Sequence, residues 1–153
     1  MDALRLGDAA ALELFASIYL GTGFTIVFYL GPLQPRLNPA TYKLPFVEPV
    51  RLATRTFTVM TSLMLAGSAG LIALEAGTRY WILPAIYLAA TIAATLLTTR
   101  IMFPINNRMS EGVETQEELQ PLLTRWRRFN TIRFSLWGVE WVAITTWFVS
   151  RAA

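Results

Sequence analysis

Four long apolar runs constrain this chain more than anything else in it. Leu14 to Leu30, Thr56 to Leu74, Tyr80 to Thr99 and Phe134 to Ser150 hold 17, 19, 20 and 17 residues, and only Glu140 breaks them with a charge. A helix needs about 20 apolar residues to cross roughly 30 Å of hydrocarbon, and uncharged flanks lengthen three of these runs. A soluble domain does not block 54% hydrophobic residues against 15% charged ones in this way. The pattern predicts an all-α integral membrane protein, a four-helix bundle in one domain over residues 1–153. Its spans are expected at about 10–31, 54–76, 80–103 and 131–150.

The cationic residues set an orientation. Of the 13 Lys and Arg residues, only Arg5, Arg79 and Arg151 fall on the side of the termini and the second loop. The other ten flank loops one and three, which the positive-inside rule places in the cytoplasm with both termini outside, as in a bacterial inner membrane. These charges hug the membrane, so anionic lipids are expected partners and nucleic acid is not. MDALRLGDAA lacks the basic start of a cleavable signal peptide. Asp8 reads instead as the N-cap of the first helix.

Two absences narrow the chemistry. With no cysteine, disulfides, iron–sulfur clusters and thiolate catalysis drop out. With no histidine, so do histidine-ligated haem or copper, the usual zinc sites and the commonest general base. No metal and no cofactor are expected.

The loops carry their own signals. GPLQPRLNPATYKLPFVEPVR has five prolines, so regular helix is not expected there, and Tyr42, Leu44, Phe46 and Val47 place it on the membrane surface. EAGTR at 75–79 is a tight turn that makes its flanking helices antiparallel neighbours. In loop three, Leu119, Leu122, Leu123, Trp126 and Asn130 recur at helical spacing. This predicts a cytoplasmic amphipathic helix at the interface or leading straight into the last span. Thr115 with Glu118 has the form of a capping box, while Pro121 argues for a start nearer Gln120.

Polar residues also fall into helical stripes. Asn130, Arg133, Trp137, Glu140 and Trp141 form one on the last helix. Tyr87, Thr91, Thr95 and Thr98 form another, and Tyr19, Thr22, Thr25 and Tyr29 a third. Thr54, Thr58 and Thr61 continue the pattern on the second run. Threonines of this kind mostly back-bond to their own helix or glue helices together. Glu140 differs, because an intramembrane charge costs about 2.5–3.5 kcal/mol and is functional by default.

PINNRM at 104–109, followed by WRRFNTIR at 126–133, resembles the anthrone oxygenase-like family of small membrane proteins. The resemblance covers about thirty residues and implies Asn106, Asn107, Arg108, Trp126 and Arg133 as matched positions. Where that family has a histidine three residues before the arginine, this chain has Asn130, which cannot shuttle a proton at neutral pH.

Two functions of different kinds follow. The resemblance implies a cofactor-independent oxygenase acting on a flat hydrophobic aromatic, anthrone- or quinol-like. Glu140 would take the proton, and Arg133 and Arg108 would stabilise the oxyanion. Asn106, Asn107 and Asn130 would donate hydrogen bonds, while Trp126, Trp137 and Trp141 would line the ring. The alternative is a non-catalytic small subunit of a larger membrane complex that binds lipid, quinone or pigment; partners expected are membrane lipids, a hydrophobic aromatic ligand, and further copies of the chain or a larger complex.

Overall fold

Helices make up nearly all of the described chain, residues 3–152 of the computed structural model, and no strand occurs among them. The α-helices are α1 (Ala3–Phe24), α2 (Glu48–Leu74), α3 (Ile82–Leu97), α4 (Phe103–Glu111) and α5 (Gln116–Ala152). Short π and 3-10 turns extend them into the runs Ala3–Arg36, Lys43–Leu74 and Arg79–Glu111. By length and composition, these three runs can cross a membrane. α5 is longer, at 37 residues, but Glu140 and three tryptophans dilute its apolar half. The structure therefore gives three candidate spans plus a fourth helix where run lengths alone predicted four.

The four long helices close a ring. α1 packs on α2 and α5, and α3 packs on the same two helices from the other side. Residues three and four apart on each helix share a face, and those faces build the core. Leu12, Ala16 and Tyr19 meet Met64 and Leu71, Tyr87 and Ala94, and Trp137, Ile144 and Trp147. At Gly23 a Cβ would stand 2.8 Å from the Trp137 ring and 2.9 Å from Phe134, so glycine sets how closely α1 approaches α5.

A second core forms a head at one end of the ring. Tyr42 and Phe46 from loop one pack with Met102, Ile105 and Met109, and with Leu119, Leu123 and Trp126. The Tyr42 hydroxyl donates to the Met109 carbonyl at 2.8 Å and accepts from the Val113 N–H at 3.0 Å. In a continuing helix those two backbone groups would bond to each other, so Tyr42 ends α4 by inserting between them. Gly112 then turns the chain at φ +114°, a conformation suited to glycine.

Several expectations are corrected. α1 begins at Ala3, so Asp8 lies inside the helix; its carboxylate leans on Gly67, where a Cβ would sit 2.8 Å from its Oδ1. Loop one is largely helical, with a 3-10 turn at Gly31–Arg36 and a π turn at Lys43–Val47; Pro32 and Pro49 fall at first-turn positions, while Pro35 lies inside the 3-10 turn. Leu44 is 77% exposed, but Tyr42 and Phe46 are buried in the head. The third run, expected to end near residue 103, continues through a π turn at Thr98–Met102 into α4, which contains PINNRM. α5 starts at Gln116 with Pro121 inside it, and Thr115 accepts from the Glu118 N–H at 3.3 Å. The Glu118 side chain turns to Arg108 rather than completing the capping box. From the head onward α5 is one unbroken helix.

Candidate functional site

α5 carries the site because its buried stripe holds polar side chains over about four turns. Trp126, Asn130, Trp137 and Glu140 are all buried, with Arg133 half-buried among them. Trp126 Nε1 donates to Asn106 Oδ1 at 3.1 Å, and Asn130 Nδ2 donates to the Trp126 carbonyl at 2.9 Å. Arg133 Nη1 then donates to Asn130 Oδ1 at 3.2 Å, and its guanidinium lies 4.6 Å from the Trp137 ring centroid. One line of contacts thus runs from α4 into the ring of helices.

Glu140 lies about 10 Å of helix rise beyond Arg133. Its exposure is 0%, and neither carboxyl oxygen has a hydrogen-bond partner among the described residues. Thr91 faces it from α3, but the Thr91 hydroxyl donates to the Tyr87 carbonyl at 3.0 Å. Tyr19 from α1 and Tyr87 from α3 are buried in the same core as Trp137 and Ala143, which flank Glu140 on α5. Tyr19 is held between the Phe57 carbonyl at 2.8 Å and the Thr61 hydroxyl at 2.6 Å, while Tyr87 donates to the Leu12 carbonyl at 3.1 Å. Arg133 Nε and the Trp147 indole N–H are also buried without partners. Native proteins rarely leave buried polar atoms unpaired, and here they recur at three levels of α5, each about 10 Å of rise from the next. α5 thus has unspent hydrogen-bonding capacity of both signs.

The expected site residues divide into two groups. Arg133, Trp137 and Glu140 share the interior, whereas Asn106, Asn107, Arg108 and Trp126 belong to the head. Trp126 and Glu140 are separated by about 21 Å of rise on one helix, too far to touch one small aromatic together. Arg108 pairs with Glu118 and lies 3.7 Å from Glu111, and it donates to the Gly112 carbonyl at 2.9 Å, so it fastens the α4–α5 turn. Asn107 is exposed and borders a cleft of about 330 Å³ with Asn106, Phe46, Val50 and Phe103. Trp141 is 36% exposed, off the buried stripe, because a single-residue step from Glu140 turns the helix by about 100°. Of the hydroxyl stripes, Thr54, Thr58 and Thr25 are exposed and bond to the carbonyl four residues back. Among the described residues, no three of His, Cys, Asp or Glu converge as a metal site needs.

A family model described as anthrone oxygenase matches residues 50–141, from the start of α2 to just past Glu140. The chain belongs to the anthrone oxygenase family. No curated protein and no solved structure matches it. The matched region of this anthrone oxygenase family member holds every expected site residue, while α1, which supplies Tyr19, lies outside it.

Tyr19, Tyr87 and Thr91 are the neighbours of Glu140 that sequence reasoning left among the packing residues. Their spacing was visible, but a periodic hydroxyl looks the same whether it meets a carboxyl or its own backbone.

Proposed function

We propose that this member of the anthrone oxygenase family is a cofactor-independent oxygenase of a flat, hydrophobic, weakly acidic aromatic, anthrone- or quinol-like. The observation that carries the reading is Glu140, fully buried, without a partner for either oxygen, on the same stripe as an arginine with an unspent N–H. With an anthrone-type substrate, Glu140 takes a proton from the ring CH₂, and Arg133 meets the charge that develops on the enolate oxygen. The carbanion transfers an electron to dioxygen, and the two recombine as a peroxide. The peroxide takes back the proton held by Glu140, and loss of the carbon's remaining hydrogen as a proton breaks the O–O bond, so the carbon becomes a carbonyl and the second oxygen leaves with both protons as water. Trp137 gives the ring an aromatic wall. Arg108, Asn106, Asn107, Asn130 and Trp126 support Arg133 and the head rather than touching the reacting carbon.

In this reading α5 is the fourth span, loops one and three are cytoplasmic, and anionic lipids of a bacterial inner membrane surround the rim. Oxygen uptake with anthrone-type substrates provides the test. Glu140→Gln should lower kcat by about 10²–10⁴ with the helical fold retained. Undiminished uptake refutes the role of Glu140.

One observation favours a second reading, a non-catalytic subunit. An apolar groove of about 420 Å³ opens between α3 and α5, lined by Leu83, Ile86, Gly138, Val139, Val142 and Ala143. A native mass of the gently extracted protein separates the two. A monomer or homo-oligomer with a bound aromatic supports the oxygenase, and a mass dominated by other chains supports the subunit.

A further inference from the structure

The head carries a cleft that the reaction proposed above does not use. It opens between the start of α2 and α4 and holds about 330 Å³, within the size range of small-ligand pockets. One wall is apolar, built from Phe46, Val50 and Phe103, and Phe103 stays 39% exposed. The rest of the lining is rich in hydrogen-bond donors. Asn107 is exposed, and its side chain has no partner among the described residues. Asn106 spends its Oδ1 on the Trp126 indole N–H, which leaves the N–H groups of its amide unspent. Arg51 gives Nε and Nη2 to one oxygen of Glu48, at 3.1 and 2.9 Å, and keeps Nη1. No carboxylate lines the cleft among the described residues. Arg51 stands just before the second apolar run, and Asn106 and Asn107 just after the third. With those runs in the membrane, the cleft lies at the rim where two helices leave the hydrocarbon, at the depth of lipid headgroups.

We propose that this cleft is a binding site for a phospholipid of the surrounding leaflet. Its phosphodiester lies against Arg51, Asn106 and Asn107, and one acyl chain runs along Phe46, Val50 and Phe103. Phosphodiester oxygens only accept hydrogen bonds, which suits a lining of amide and guanidinium donors without a carboxylate. Glu48 offsets the charge of Arg51, so recognition falls on the placement of donors more than on net charge. The apolar wall selects a lipid over inorganic phosphate, which would leave it uncovered. A lipid held there ties the start of α2 to α4. The oxygenase reading can fail without touching this site, because none of these contacts involves Glu140 or Arg133.

Native mass spectrometry of the whole protein, delipidated in detergent and titrated with phosphatidylglycerol, tests the site. One lipid per chain should be retained. Diacylglycerol with the same chains should bind about ten-fold more weakly or worse, and inorganic phosphate should not displace the lipid. Arg51→Gln removes a donor group, and Asn107→Asp keeps the shape while turning a donor into an anion. Each should weaken binding by about ten-fold or more. Both side chains are exposed, so helical content by circular dichroism should match the unsubstituted protein. Arg128→Gln, on the opposite side of α5 from Trp126, should leave binding unchanged. No retained lipid, unchanged affinity in either cleft variant, an equal loss in Arg128→Gln, equal binding of diacylglycerol or displacement by inorganic phosphate each overturns the proposal.

Discussion

Replacing Glu140 with leucine should make the protein more stable. The side chain is fully buried, and both oxygens lack partners. A buried polar group left unbonded costs about 1–3 kcal/mol, and exchanging buried ionisable groups for apolar ones of similar volume is often stabilising by about 1–4 kcal/mol. Leucine fills comparable space beside Tyr87 and Trp137, so the gain should be about 2 kcal/mol, a factor of roughly 30 in the folding equilibrium. Glu140→Gln keeps a polar group with the same unmet needs and should change stability by less than about 0.5 kcal/mol. Reversible unfolding in mixed micelles, titrated with a denaturing detergent, measures both. A loss of more than about 1 kcal/mol in Glu140→Leu refutes the reasoning, because it means the carboxyl makes native interactions. A stabilised protein without turnover is the signature of a residue kept for chemistry at the expense of packing.

Three further outcomes follow from the packing. Tyr42→Phe leaves the buried Val113 N–H without an acceptor and should cost about 1–3 kcal/mol, with early proteolysis near Gly112 as the visible sign. Gly23→Ala puts a methyl 2.8 Å from the Trp137 ring and should cost about 1–3 kcal/mol, read by detergent unfolding and by altered Trp emission. Glu75→Gln strips Arg151 of its two-oxygen partner at 2.8 and 2.9 Å and should cost about 2 kcal/mol, less than a fully buried pair because Arg151 is partly exposed. Substituting Arg151 as well should recover part of that loss.

Much of the helical layout was legible in the sequence. The apolar runs located the long helices, EAGTR located the tight turn, and the spacing of Asn130, Arg133, Trp137 and Glu140 put the polar stripe on one face of α5. PINNRM with WRRFNTIR pointed to the family that the match over residues 50–141 shows. Helix ends were read less well. The prolines of loop one look like breaks along the chain, but Pro32 and Pro49, like Pro104 in α4, stand at first-turn positions where a missing N–H costs nothing.

Local sequence rules determined where this chain is helical and which side of each helix is apolar, because periodicity and length act along the chain itself. Only the tertiary structure decided which polar residues meet. It paired Asn106 with Trp126, committed Arg108 to the α4–α5 turn, turned Trp141 off the stripe and left Glu140 without a partner beside Tyr19, Tyr87 and Thr91. Those outcomes depend on how four helices rotate and slide against one another, set by contacts between residues far apart in sequence, such as Gly23 against Trp137.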